Sequence, residues 1–150
     1  MDSLRIDNGL KRIEVNDAGE YIEFSVVDSG FFRAFFDLLQ WFDEQENRKE
    51  IKEMKEQGDK VVSDDKNKIN YDAANSVLDI REKISKEACE KIDNIFGAEA
   101  SRKIFGSIVP DMYMIADFFE KITPFMEKYA KERNQTINKK YSKSRKGAKS

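Results

Sequence analysis

The sequence predicts an α+β protein, mainly α, with an N-terminal β-hairpin packed on three main helices plus one short helix. A basic disordered C-terminal tail follows. Three observations carry that reading. Two β-branched or aromatic-rich stretches near the start flank a cluster of turn residues. Three longer stretches repeat apolar residues at helical spacing. Two Pro and seven Gly in 150 residues are too few for a loop-dominated or all-β fold. The hairpin is expected over about 4–27 and helices over about 29–57, 71–96, 98–105 and 110–138. One domain spans 1–141, and the tail covers 142–150.

The strands are Leu10-Lys11-Arg12-Ile13-Glu14-Val15 and Tyr21-Ile22-Glu23-Phe24-Ser25-Val26, joined by Asn16-Asp17-Ala18-Gly19-Glu20. A lone hairpin is marginal in water, so one face must pack on helices or pair with another chain. The first helix opens at Asp28 or Ser29, either of which suits an N-cap. It holds five of the eleven Phe and the single Trp, which makes it the centre of the expected core. Residues 31, 32, 35, 36, 38, 39 and 42 fall within about 160° of a helical wheel, and Trp41 lies off that stripe. The continuation from Asp43 to Gln57 is nearly all strong helix formers. Ile51 and Met54 are its apolar residues, so it reads as a solvated extension, with a partner-docking arm as the alternative.

Gly58 to Asn70 reads as a polar loop. Its Asp59, Asp64 and Asp65 lack the alternating spacing of a calcium loop. In the second main helix Ala74, Val77, Ile84, Ala88, Ile92 and Ile95 share a face, flanked by Leu78 and Phe96. Gly97 is expected to close it in the left-handed conformation. A short helix ends at Gly106, and Pro110 suits the first turn of the last helix. There Met112, Ile115, Phe118, Phe119, Ile122, Phe125, Met126 and Tyr129 line one side, while Thr123-Pro124 marks a kink or recapped break.

Composition narrows the chemistry. Histidine is absent, which removes the usual general base near neutral pH and the commonest transition-metal ligand. The one Cys, Cys89, allows no internal disulfide. No apolar run reaches the ~20 residues of a membrane span, and no signal-peptide pattern opens the chain. A cytoplasmic, non-catalytic protein with no cofactor and no metal is the expectation. Net charge is divided unevenly. Residues 128–150 carry nine Lys/Arg against one Glu, a net +8, and the preceding residues carry 18 against 28, a net −10.

The most distinctive stretch is Cys89-Glu90-Lys91-Ile92-Asp93-Asn94-Ile95-Phe96-Gly97 followed by Lys103-Ile104-Phe105-Gly106. Two Phe-Gly helix ends precede an aromatic-rich last helix and a basic Lys139-Lys140-Tyr141 close. With Val27-Asp28-Ser29-Gly30-Phe31 ahead of a Phe-rich helix, this resembles a family of small phage and prophage tail assembly chaperones of Gram-positive hosts. Where that family has a proline-aspartate turn, this chain has Val27-Asp28. The resemblance implies a protein that binds the long helical tape measure protein and keeps it soluble until tail tube subunits replace it. It implies no catalysis and no cofactor.

The residues are compatible with that role. Trp41, least explained by the core, is the best single contact candidate. Phe31, Phe35, Met112, Met114, Phe118 and Met126 would supply an adaptable apolar surface, although such stripes are core far more often than client grooves. The hairpin edge or the Phe31–Phe42 stripe offers a homo-oligomer contact. Two rivals remain. A nucleic-acid module would use Lys139, Lys140, Lys143, Arg145 and Lys146 on phosphates, against an acidic body that presents no recognition element. A phage-encoded inhibitor of a host defence protein would occupy a basic surface.

Overall fold

The computed structural model describes residues 1–62 and 68–148, with side chains to Ser142. Asp64 and Asp65 lie outside the described residues. The chain is mainly helical with an N-terminal two-stranded antiparallel hairpin. The order is β1 (Leu10–Glu14), β2 (Tyr21–Ser25), α1 (Ser29–Glu44), a 3-10 turn (Gln45–Asn47), α2 (Lys49–Asp59), α3 (Tyr71–Phe96), α4 (Ala100–Phe105) and α5 (Met112–Ala148).

The hairpin pairs Ile13 with Ile22 and Lys11 with Phe24. Its turn is made by Asn16, whose Oδ1 accepts from the N–H of Ala18 at 3.0 Å and of Glu20 at 3.2 Å. Gly19 supplies the positive φ of 79° that this reversal needs. Strand alternation then sends Ile22, Phe24 and Val26 inward, where they are buried. Residues 4–9, expected within the hairpin, form no strand, and Leu4 and Ile6 are exposed.

Asp28 caps α1, accepting from Gly30 N–H at 2.9 Å. Phe31, Phe35 and Leu38 are buried, and Phe32, Leu39 and Phe42 pack partly against the same core. Phe36 departs from the expected stripe, because at 60% exposure it faces solvent. The helix itself breaks where continuity to Gln57 was expected. Gln45 is buried, its Nε2 donates to the Trp41 carbonyl at 2.7 Å, and Arg48 is extended at φ −69°, ψ 139°. The break lets α2 pack along α3 and bury Ile51. An apolar residue in an otherwise charged segment outweighs local helix propensity once a groove is within reach. The segment is a docked helix, not a solvated extension.

Asn70 caps α3 by accepting from Ala73 N–H at 3.1 Å. The buried face of α3 is Ala73, Ile84, Ser85, Ala88, Ile92 and Phe96. Ile84, Ala88, Ile92 and the flanking Phe96 lie where expected, while Ala74, Val77 and Ile95 are only half-buried and Leu78 is exposed. Phe96 is central. Its ring lies within 5.5–6.3 Å of Phe24, Phe31, Phe35 and Phe118, so it joins β2, α1 and α5 to α3. Helix α5 opens under Asp111, which accepts from Met114 N–H at 2.8 Å. Pro110 therefore precedes the cap and does not occupy the first turn. The helix passes unbroken through Pro124, beside which the Thr123 hydroxyl donates to the Phe119 carbonyl at 2.7 Å. It runs on through Ala148, past the end expected near 138 and past Ser142, where the composition becomes that of a tail. A helix already nucleated in the core extends cheaply through residues that would not nucleate one.

Candidate partner-binding grooves

The short helix α4 determines the shape of the first groove. Gly97 (φ 112°, ψ 161°) and Gly106 (φ 81°, ψ −156°) bracket it in backbone regions open essentially to glycine. Gly97 is thus at positive φ but extended, not in the left-handed helical conformation expected. Glu99, at φ 65°, takes the left-handed position instead. The Asp93 carboxylate accepts from Ser101 N–H at 2.7 Å, tying α4 to α3. The Asn16 amide donates to the Lys103 carbonyl at 3.1 Å, and Arg102 meets Glu20 at 2.9 Å, tying α4 to the hairpin turn. Arg102 first, and then the Asn16 amide, which also donates to Glu20 Oε1 at 3.2 Å, hold the Glu20 carboxyl below its ordinary range.

Held there, α4 forms one side of a groove with β1 and α5, about 420 Å³ in volume. Ile13 and Val15 come from β1, Ile104 and Phe105 from α4, and Met114, Phe118 and Ile122 from α5. Tyr113 and Phe125 stand at the mouth, 78% and 41% exposed. The polar rim is Glu14 and the Asp117–Lys121 pair at 2.8 Å. The β1 edge beside it is open. Val15 N–H donates to Glu20 O and Val26 N–H to Gly9 O, so Arg12 and Glu14 direct their backbone groups away from β2. This is the hairpin edge expected as an oligomer contact.

A second groove, about 720 Å³, opens on the other flank of Tyr113. Its apolar lining is Phe42 from α1, Ile51 and Met54 from α2, and Met112 and Ala116 from α5, with Asp43, Glu46 and Lys55 around it. The adjoining break is clamped by Arg48, which binds Glu87 at 2.6 Å and Glu50 at 2.8 Å. Arg48 draws the Glu50 carboxyl down to about 2 and lowers that of Glu87 as well.

The residues singled out from sequence divide three ways. Met114 and Phe118 line the first groove and Met112 the second. Phe31, Phe35 and Met126 are buried core residues without a surface to offer. Trp41 is half-buried against the core, with Lys91 Nζ 5.2 Å from its ring centroid, and lines neither groove. Lys139 and Lys140 are exposed on α5, whereas the side chains of Lys143, Arg145 and Lys146 lie outside the described residues. Tyr113 and Phe125, which shape the groove mouths, were missed as contact candidates. Phe125 at the margin of the α5 stripe was the signal that pointed to them.

The Cys89 thiol is pushed up by burial, the opposite of an activated nucleophile. Among the described residues no group of three or more His, Cys, Asp or Glu could hold a metal ion. No helix among them is long and apolar enough to cross a membrane.

Fold and grooves together define a small, mainly helical α+β domain whose α5 is flanked by two open apolar clefts. The family model that matches it is described as a family of unknown function (DUF6673) and covers residues 18–150. The chain belongs to that family. No curated protein matches it, and no solved structure does.

Proposed function

We propose that this chain is a non-catalytic binding protein that shelters an apolar helical segment of a client in the β1–α4–α5 groove. It would act as a tail assembly chaperone for a tape measure protein in the host cytoplasm, yielding the client to tail tube subunits. The observation that carries this reading is the groove itself. Its apolar walls stay open on a chain that is 37% charged, and a volume of several hundred Å³ suits a few client side chains. Met114 and Phe118 give the walls an adaptable, aromatic character suited to an amphipathic helix. An open cleft with a short apolar floor also keeps affinity modest enough for displacement. The Phe-Gly helix ends that resemble the chaperone family are the same residues that place α4 against the groove.

Co-expression tests the reading. With the wild-type chain, a phage tape measure protein should move into the soluble fraction. Met114→Asp and Phe125→Asp should each abolish that effect while far-UV circular dichroism stays unchanged. A client equally insoluble with and without the chain would refute the proposal.

A further inference from the structure

Beyond Ala130 helix α5 leaves the body. Every residue from 131 to 142 except Arg133 is exposed, and the N-terminal arm touches this stretch where Asp7 meets Arg133 at 2.9 Å. The segment extends cheaply from the helix already formed in the core, but among the described residues it buries almost nothing of its own. One face of it is not polar. Ile137 and Tyr141 are one turn apart, both exposed, with Lys140 beside them.

We propose that this distal half of α5 docks in the α1–α2–α5 groove of a second copy of the chain. The groove supplies the complement. Phe42, Ile51 and Met54 give an apolar floor for Ile137 and Tyr141, and Asp43 and Glu46 at the rim face the lysines. Charge favours the same pairing at long range, since residues 128–150 carry +8 and the rest of the chain −10. The contact cannot form within one molecule. Tyr113 at the groove and Lys140 are on the same helix, about 40 Å apart at 1.5 Å per residue. Two α5 helices packed antiparallel bring each distal half to the other's groove at once. The exchange therefore closes on itself as a two-fold dimer. This groove shares only Tyr113 with the one assigned to the client, and the variants tested leave Tyr113 in place, so either assignment can fail alone.

Sedimentation velocity on the full chain is the test. At low salt the wild type should sediment as a dimer that dissociates as salt rises. Tyr141→Asp and Met54→Asp should each give a folded monomer. Lys140→Glu and Glu46→Lys should each lose the dimer alone and recover it when mixed in equal amounts, because the heterodimer restores both contacts. A wild type that stays monomeric, a dimer indifferent to these substitutions, or no recovery on mixing would overturn the proposal. So would a monomeric chain whose distal α5 instead binds a duplex DNA or single-stranded RNA probe through Lys139 and Lys140.

Discussion

Phe96 and Gly97 are neighbours in sequence and do opposite work. Phe96 is among the most connected rings of the core, and the next residue leaves that core in a conformation that side chains avoid. A Cβ built on Gly97 meets nothing within 4 Å, so the cost of adding one lies in the backbone alone. Gly97→Ala should therefore destabilise the chain by about 1–3 kcal/mol, read as a lower urea midpoint. If the midpoint did not move, the positive φ at 97 would not be a requirement of the fold. Phe35 and Phe36 show how little separates core from surface on α1. A single 100° step takes the ring from fully buried to 60% exposed, and a wheel drawn from sequence places both inside one broad stripe.

The break between α1 and α2 is the element-scale feature that local propensity hides. Charge-rich helix formers run across it without Gly or Pro, and the break is held by Arg48, which bridges its neighbour Glu50 and the distant Glu87. Those carboxyls stay ionised below the ordinary glutamate value of 4.5, Glu50 down to about 2. The unfolded chain thus binds more protons through this window. Stability from the clamp is complete above about pH 4.5 and is lost as the pH falls toward about 2. Asp7, held low first by the Gly9 N–H, and Glu20 add to the same trend. The urea midpoint should drop across that range, and Arg48→Met should flatten the drop while lowering the midpoint at neutral pH. An acid slope unchanged in Arg48→Met would mean that the clamp does not couple to folding.

Over the whole molecule, β2, α1, α3, α4 and α5 meet in one cluster of buried residues. A domain with one such core unfolds as a unit. Phe96→Ala removes the ring that joins four of those elements and should cost about 3–5 kcal/mol. Circular dichroism and Trp41 fluorescence should still report a single coincident transition. Separate transitions for the two probes would divide the core in a way the packing does not suggest.

The sequence by itself determined the class of fold. Strand alternation, the Asn16–Gly19 turn, the Asp28 cap and the apolar stripes are local patterns, and local patterns are written in the order of residues. Met112, Met114 and Phe118 were singled out for the adaptable surface that such side chains give, and the structure places all three in groove linings. Tertiary structure alone decided which apolar residues are surface. Phe31, Phe35 and Met126 lie in the core, Trp41 is half-buried against it, and Phe125 and Tyr113 are left at the groove mouths. Which side of a stripe is covered depends on where the next element lands. That in turn rested on a helix break held by Arg48 to Glu87 and a short helix tied to the hairpin turn by Asn16 and Arg102, contacts between residues far apart in the chain.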